Sequence, residues 1–158
     1  MRRASSILLA IVITGLLILH ASQPAAAHEN GLVTMKSDFP MGETIDRLKK
    51  DIATKGIIFF AEIDQAKLAE DNGVELNPST LLIFGNPKLG SQFITSNPSS
   101  GIDWPVRLLV FEDEVGQVWM IYNDFTYIAR RHGITNRDKA FSMASHVIES
   151  ITSAVKRK

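Results

Sequence analysis

Apolar and polar residues alternate over Leu32–Lys36, with Val33 and Met35 on one side and Thr34 and Lys36 on the other, the pattern of a half-buried strand. Asp38-Phe39-Pro40-Met41-Gly42 interrupts it. Ile45, Leu48 and Ile52 then recur at helical spacing, while Glu43/Arg47 and Asp46/Lys50 sit four apart in the favourable order. This predicts a surface helix over about 42–55, closed by Gly56 just past its last turn. The runs 57–61 and 80–84 are continuously apolar, β-branched and aromatic, and predict two central strands buried on both faces. Between them Gln65–Glu70 predicts a short helix ending at Asn72-Gly73. After the second run 85–88 reads as a turn, 89–95 as one or two helical turns and 97–101 as loop.

The segments Val106–Glu112 and 117–122 flank Asp113-Glu114-Val115-Gly116, which predicts a hairpin with a four-residue connection. Pairing Glu112 with Gln117 sets Phe111 against Val118, Val110 against Trp119, Leu109 against Met120, Leu108 against Ile121 and Arg107 against Tyr122. Phe111, Leu109, Val118 and Met120 then share one face, and Val110, Leu108, Trp119 and Ile121 the other, so both faces are apolar. Residues 125–132 predict a short helix ended by Gly133. Thr135-x-x-Asp138 has the form of a capping box, with Asn136 as an alternative cap, before a terminal helix whose apolar stripe is Phe141, Ala144, Ile148, Ile151 and Val155. The expected fold class is α+β: one domain with a mainly antiparallel sheet of about five strands and the two longer helices on one face.

A different pattern precedes the domain. Met1-Arg2-Arg3 is followed by an apolar run over 7–19, broken only by Thr14 and Gly15, and by Ala25-Ala26-Ala27. This is the layout of a secretory signal peptide, here 1–27, with cleavage expected after Ala27. The run is shorter than the roughly 20 apolar residues of a spanning helix, so no stable membrane anchor is expected after cleavage. The paired arginines lack the preceding Ser/Thr of a twin-arginine signal, and no cysteine follows for lipid attachment. The signal is bacterial in style, and the expected location is periplasm or medium.

The leader changes the meaning of the composition. The chain has 158 residues, is 45% hydrophobic, 22% charged and 8% aromatic, and carries 17 basic against 17 acidic residues with no cysteine. Without Arg2 and Arg3 the remaining 28–158 domain has net charge −2, from 15 basic and 17 acidic residues. A domain of that length buries enough of its surface to fold without staples. The absent cysteines exclude disulfides, thiolate nucleophiles and cysteine metal sites. Balanced charge, and aromatics not interleaved with basic residues, argue against nucleic acid.

Several stretches together resemble a known family. They are Phe39-Pro40-x-Gly42-Glu43-Thr44, then Leu81-Leu82-Ile83-Phe84-Gly85-Asn86-Pro87-Lys88-Leu89-Gly90, then Asp103-Trp104-Pro105 leading into a Val-Phe-Glu-Asp hairpin that ends at Tyr122-Asn123-Asp124. The chain resembles, over about 31–157, the bacterial domain-of-unknown-function 302 family, most specifically through Phe-Gly-Asn-Pro-Lys. Trp104 departs from the pattern, which more often has Leu there. The resemblance implies a compact α+β fold with a TATA-binding-protein-like strand and helix order and a tendency to form homodimers. It implies no catalytic residue.

Two stretches offer sites. The amides of 85–90 with Asn86 and Lys88 can hold an anion where a strand meets a helix, although the Walker spacing fails after Gly90; as plain structure the stretch is a rigid turn fixed by Pro87. Asp103 and Arg107 at the start of the hairpin and Tyr122 and Asp124 at its end fall at one end of the sheet. If they converge they bind a polar ligand or do acid–base work; otherwise they are turn residues. His132, following Arg130-Arg131, sits where a helix dipole favours a cation. His28 and His146 share no ligand spacing with it, and no metal or cofactor motif is present, nor any G-x-S-x-G.

With both faces of the sheet apolar and helices for only one, the other needs cover from loops, a second copy or a ligand. The expected function is therefore a secreted small-molecule-binding or interaction module forming a homodimer. The alternative is a small cofactor-independent hydrolase or isomerase using Asp103, Tyr122 and Asp124, with His132 as a further candidate.

Overall fold

The computed structural model describes residues 30–157; the signal-peptide reading and His28 lie outside them. Five strands, β1 (Leu32–Lys36), β2 (Ile58–Asp64), β3 (Ser79–Gly85), β4 (Val106–Glu112) and β5 (Val118–Asn123), form one antiparallel sheet in the order β1-β5-β4-β3-β2. The helices are α1 (Met41–Thr54), α2 (Gln65–Glu70), α3 (Pro87–Ser96), α4 (Phe125–Arg131) and α5 (Asp138–Ser153), with a 3-10 helix at Pro98–Asp103. The expected α+β class, five-stranded antiparallel sheet and single domain are what the chain adopts.

One face of the sheet makes the core. Val33, Leu82, Phe84, Leu108, Val110, Val118 and Met120 from the strands pack with Leu48 and Ile52 of α1, Phe93 of α3, Ile128 of α4, and Phe141, Ile148 and Ile151 of α5. The alternate strand positions make the other face. Registers align Thr34, Ile121, Leu109, Leu81 and Ile63 in one row across all five strands, and Lys36, Trp119 and Phe111 in the next. Of these, Ile63, Leu81, Leu109, Phe111, Trp119 and Ile121, together with Ile83, are half-buried and stand outside the core cluster. The second face is mainly apolar, shared with Thr34, Lys36, Ser79 and Arg107; the helix residues of the core cluster lie on the other side, and α2 reaches this face where Ser79 Oγ donates to Gln65 Oε1 at 2.8 Å.

Two expectations about the strands need correction. The hairpin register is one residue out: Glu112 pairs with Val118, Phe111 with Trp119 and Leu108 with Tyr122. The connection takes an extra residue because Asp113 Oδ1 accepts both Val115 N–H and Gln117 N–H, and Gly116 adopts φ +76°, which a side chain resists. A one-residue slip turns every β5 side chain over, so Trp119 and Ile121 share a face with Leu109 and Phe111, not with Leu108 and Val110. The run 57–61 is not a central strand. β2 is at the sheet edge with a bulge between Phe59 and Ala61, and Ile58 and Phe60 are 49% and 50% exposed.

Helix ends follow local chemistry, with one surprise. Gly56, at φ +65°, closes α1 as expected. The capping box of Thr135 and Asp138 does not form: α5 begins at Asp138 after Arg137, with no side-chain cap, and Asn136, the alternative cap, has its Oδ1 accepting from Ser96 Oγ at the end of α3.

Candidate functional site

The first candidate stretch folds as a helix cap. Asn86 Oδ1 accepts the N–H groups of Lys88 and Leu89, and Pro87 occupies the first turn of α3, where its missing donor costs nothing. The amides that an anion would use are thus held by Asn86, and Lys88 is exposed.

The second set is divided by the structure. Asp103, at the end of the 3-10 helix, has a side chain 1% exposed. Arg107 Nη2 lies 3.4 Å from its Oδ1 and also donates to Ile102 O at 2.8 Å, so Asp103 and Arg107 are together. Tyr122 and Asp124 are not placed with them. Tyr122 is on the core face, paired with Leu108, while Arg107 occupies the alternate face of β4. Asp124 caps α4 by accepting Tyr127 N–H at 2.6 Å.

What gathers around Asp103 comes from α4. His132 Nε2 lies 2.6 Å from Asp103 Oδ2, and Arg131 Nη1 lies 3.4 Å from Oδ1. A carboxylate only accepts, so the Nε2–H of His132 donates. The other ring nitrogen, Nδ1, is 3.0 Å from Ser99 Oγ, which is also 2.9 Å from Asn97 Oδ1. With a neutral ring Ser99 donates to Nδ1; with a charged ring Nδ1 donates to Ser99, which turns to Asn97. Both protonation states are satisfied. Asn97 Nδ2 also donates to His132 O at 2.8 Å, tying the 3-10 helix to the end of α4 a second time.

A buried carboxylate, an imidazole and an exposed hydroxyl in line can pass a proton from the hydroxyl to the ring. Acyl transfer also needs donors aimed at a developing oxyanion. Here Ser99 N–H is taken by Asn97 Oδ1 and Ser100 N–H by Asn97 O. The cluster's evident work is to neutralise and hydrogen-bond Asp103 at the junction of two elements. Sequence spacing gave no hint of this, because Asp103 and His132 are 29 residues apart.

Tyr122 gives a prediction that reports its burial. Desolvation raises its phenol to about 12, helped by the negative charges of Glu149 and Asp124. A spectrophotometric titration of the folded domain is expected to show one phenol ionising near pH 12, and Tyr122→Phe to delete that step. Because the folded value exceeds the usual value near 10, this group's contribution to stability is present below about pH 10 and is lost as pH rises toward 12. A Tyr122→Phe titration that retains the high step would place it elsewhere.

A cleft opens on the helix-covered face. Phe84, Leu89, Trp104, Val106, Phe125 and Val147 line a space of about 460 Å³ between α5 and the end of the sheet, with Lys55, Asn86, His146 and Ser150 also contributing to its wall. Trp104 is stacked between Phe93 (4.5 Å, 7°) and Phe125 (5.5 Å, 3°). Among the described residues no group of three His, Cys, Asp or Glu is placed to hold a metal ion, and no helix is long and apolar enough to cross a membrane.

These features define a class: a five-stranded antiparallel α+β domain, helices on one face, with no recognised catalytic or metal centre among its described residues. The chain belongs to the DUF302 family, a domain of unknown function, whose model matches residues 33–157. The crystal structure of an uncharacterized conserved DUF302 protein from Bacillus stearothermophilus aligns with a TM-score of 0.72 at 16% identity, covering 80% of this chain and 98% of its own, which shows the same fold. The proteins named fluoride-specific ion channel FluC 1 in Brucella suis biovar 1 (strain 1330) and Brucella abortus biovar 1 (strain 9-941) are each 36% identical over 118 residues, 74% of this chain. The match covers 46% and 44% of those proteins, so the chain spans less than half the length of these relatives.

Proposed function

We propose that this chain is a secreted interaction module, periplasmic or extracellular, that works as a homodimer and binds a small molecule. The observation that carries the reading is the uncovered apolar face of Ile63, Leu81, Leu109, Phe111, Trp119 and Ile121. Five strands about 4.8 Å apart and about 20 Å long give this face roughly 500 Å² in plan. Thr34, Lys36, Ser79 and Arg107 share it, so its apolar part is about a few hundred Å², the size of the patches that mark interaction sites, and the whole face approaches the about 800 Å² per partner of a standard interface once side-chain relief and edge loops are added. A second copy supplies an equally flat apolar face, and sheets pack well face to face about 10 Å apart. The relatives in which the matched stretch is under half of a longer protein support a module that acts alongside other parts, and nothing of their channel activity is carried over.

Secretion rests on the sequence of the leader. Amino-terminal sequencing of the exported chain is expected to begin at His28; recovery of the intact amino terminus from the cytoplasm would oppose export. Native mass spectrometry of the exported protein tests binding and pairing together. Two copies, with small-molecule adducts lost on activation, are expected, and a bare monomer would contradict both. The enzymatic alternative has weaker support, since Asp103 is engaged by three partners, Asp124 caps a helix and Tyr122 is buried with a raised phenol.

A further inference from the structure

The cleft beside α5 has a composition that selects among ligands. Its depth is apolar: Phe84, Ile148 and Ile151 at 2%, 2% and 0% exposure form the floor, and Trp104 and Val147 are walls. Met143, 58% exposed, lies at its edge, and the flexible thioether suits an adaptable apolar contact. Its polar side chains supply donors. Asn86 Oδ1 is occupied by the cap of α3, which leaves its amide Nδ2 to donate. Ser150 has a hydroxyl. Lys55 gives one of its three N–H groups to Asp51 at 2.5 Å, which fixes the ammonium and leaves two. His146 is the exception: its Nδ1–H donates to Ser142 O at 2.7 Å, so Nε2 of the neutral ring accepts and adds no donor. No Asp or Glu is among the residues lining the cleft.

From this we infer that the cleft binds an amphipathic monocarboxylate, its hydrocarbon body against the edge of Trp104 and Val147 and its carboxylate at the Lys55, Asn86 and Ser150 rim. The volume of about 460 Å³ lies within the range of small-molecule sites. The inference rests on the proposed binding function and names its ligand class. It uses the helix-covered face, so pairing through the open sheet face can stand or fall without it.

Decanoate is the probe, followed by calorimetry and by tryptophan emission. The chain has two tryptophans, and Trp119 lies on the opposite sheet face, so a Trp119→Phe variant leaves Trp104 as the sole reporter. Saturable binding at one site per chain is expected. Affinity should rise about fourfold for each added methylene from octanoate to decanoate, from about 0.8 kcal/mol per buried CH₂. Decanoate should bind at least tenfold more tightly than decanol or decyltrimethylammonium, and Lys55→Met should erase that preference. Val147→Trp, which fills the cleft, should abolish binding while circular dichroism shows an unchanged fold. If Val147→Trp unfolds the protein, Met143→Trp at the cleft edge replaces it, with at least a tenfold loss expected. No saturable binding, equal affinity for the cationic probe, or undiminished binding in folded cleft variants would overturn the inference. Light scattering on the same samples reports pairing, so failure of the cleft is distinguished from failure of the dimer.

Discussion

Leu109→Asp is expected to abolish the proposed pairing and leave a folded monomer. Leu109 lies on β4, the middle strand of the sheet, and its register neighbours on the open face are Ile121 and Leu81. In the proposed two-fold pairing of that face, position 109 of both copies would enter a dry apolar layer, and a carboxylate taken there would lose its water without gaining a partner. A cost of about 3 kcal/mol or more per interface weakens the dimer at least a hundredfold. In the isolated protomer the same position is half-exposed and outside the core, so thermal unfolding of the variant should remain cooperative. Sedimentation velocity checks the outcome, and a Leu109→Asp protein that sediments as the wild type would remove this face as the interface.

Asp103→Ala is expected to produce the largest loss of stability among polar substitutions. It leaves His132, whose side chain is 7% exposed, without the acceptor of its Nε2–H, and deprives Arg107 and Arg131 of their shared counter-ion. A buried imidazole N–H left without its acceptor costs about 1–3 kcal/mol, the two arginines being half-exposed and able to turn to water, and for a domain of this length the midpoint should fall by about 5 °C or more. His132→Ala should cost less, since both arginines still face the carboxylate. The double variant should cost less than the sum of the two, because the shared bond is lost only once. Urea unfolding of the four proteins checks this cycle. Strict additivity would show that the 2.6 Å contact contributes nothing, and an unchanged midpoint for Asp103→Ala would contradict the role given to the cluster.

Much of this fold is legible in the order of residues, for reasons that also mark where legibility ends. Alternation at 32–36, the stripe through Ile45, Leu48 and Ile52, and the stripe through Phe141, Ala144 and Ile148 each record one element with one buried face, and all three are present. Residues 57–61 failed as a central strand because an apolar run states that surface is available for burial, not that anything covers it. Ile58 and Phe60 remain half-exposed at the edge. The hairpin slipped by one residue because its loop is fixed by a side chain, Asp113, as much as by backbone turn preferences.

The site was less legible. Asn86-Pro87 announces a helix start, since a capping side chain followed by a proline is a local signal. The cluster at Asp103 is not local. Asn97, Ser99, Asp103, Arg107, Arg131 and His132 come from a 3-10 helix, a strand and the end of α4, and only folding brings them together. The one sequence signal was a histidine after two arginines at a helix end, which the helix dipole accounts for on its own. Asp103 and Arg107 were expected together and are, whereas Tyr122 was expected beside Arg107 through the slipped register and instead faces the core.

Pairing through the uncovered sheet face is read from the mass of the 28–158 chain in solution. Multi-angle light scattering across a dilution series from about 100 μM to 1 μM is predicted to give twice the protomer mass at the upper end, moving toward one protomer only on dilution. A single protomer mass throughout, with the open face in water, would contradict it.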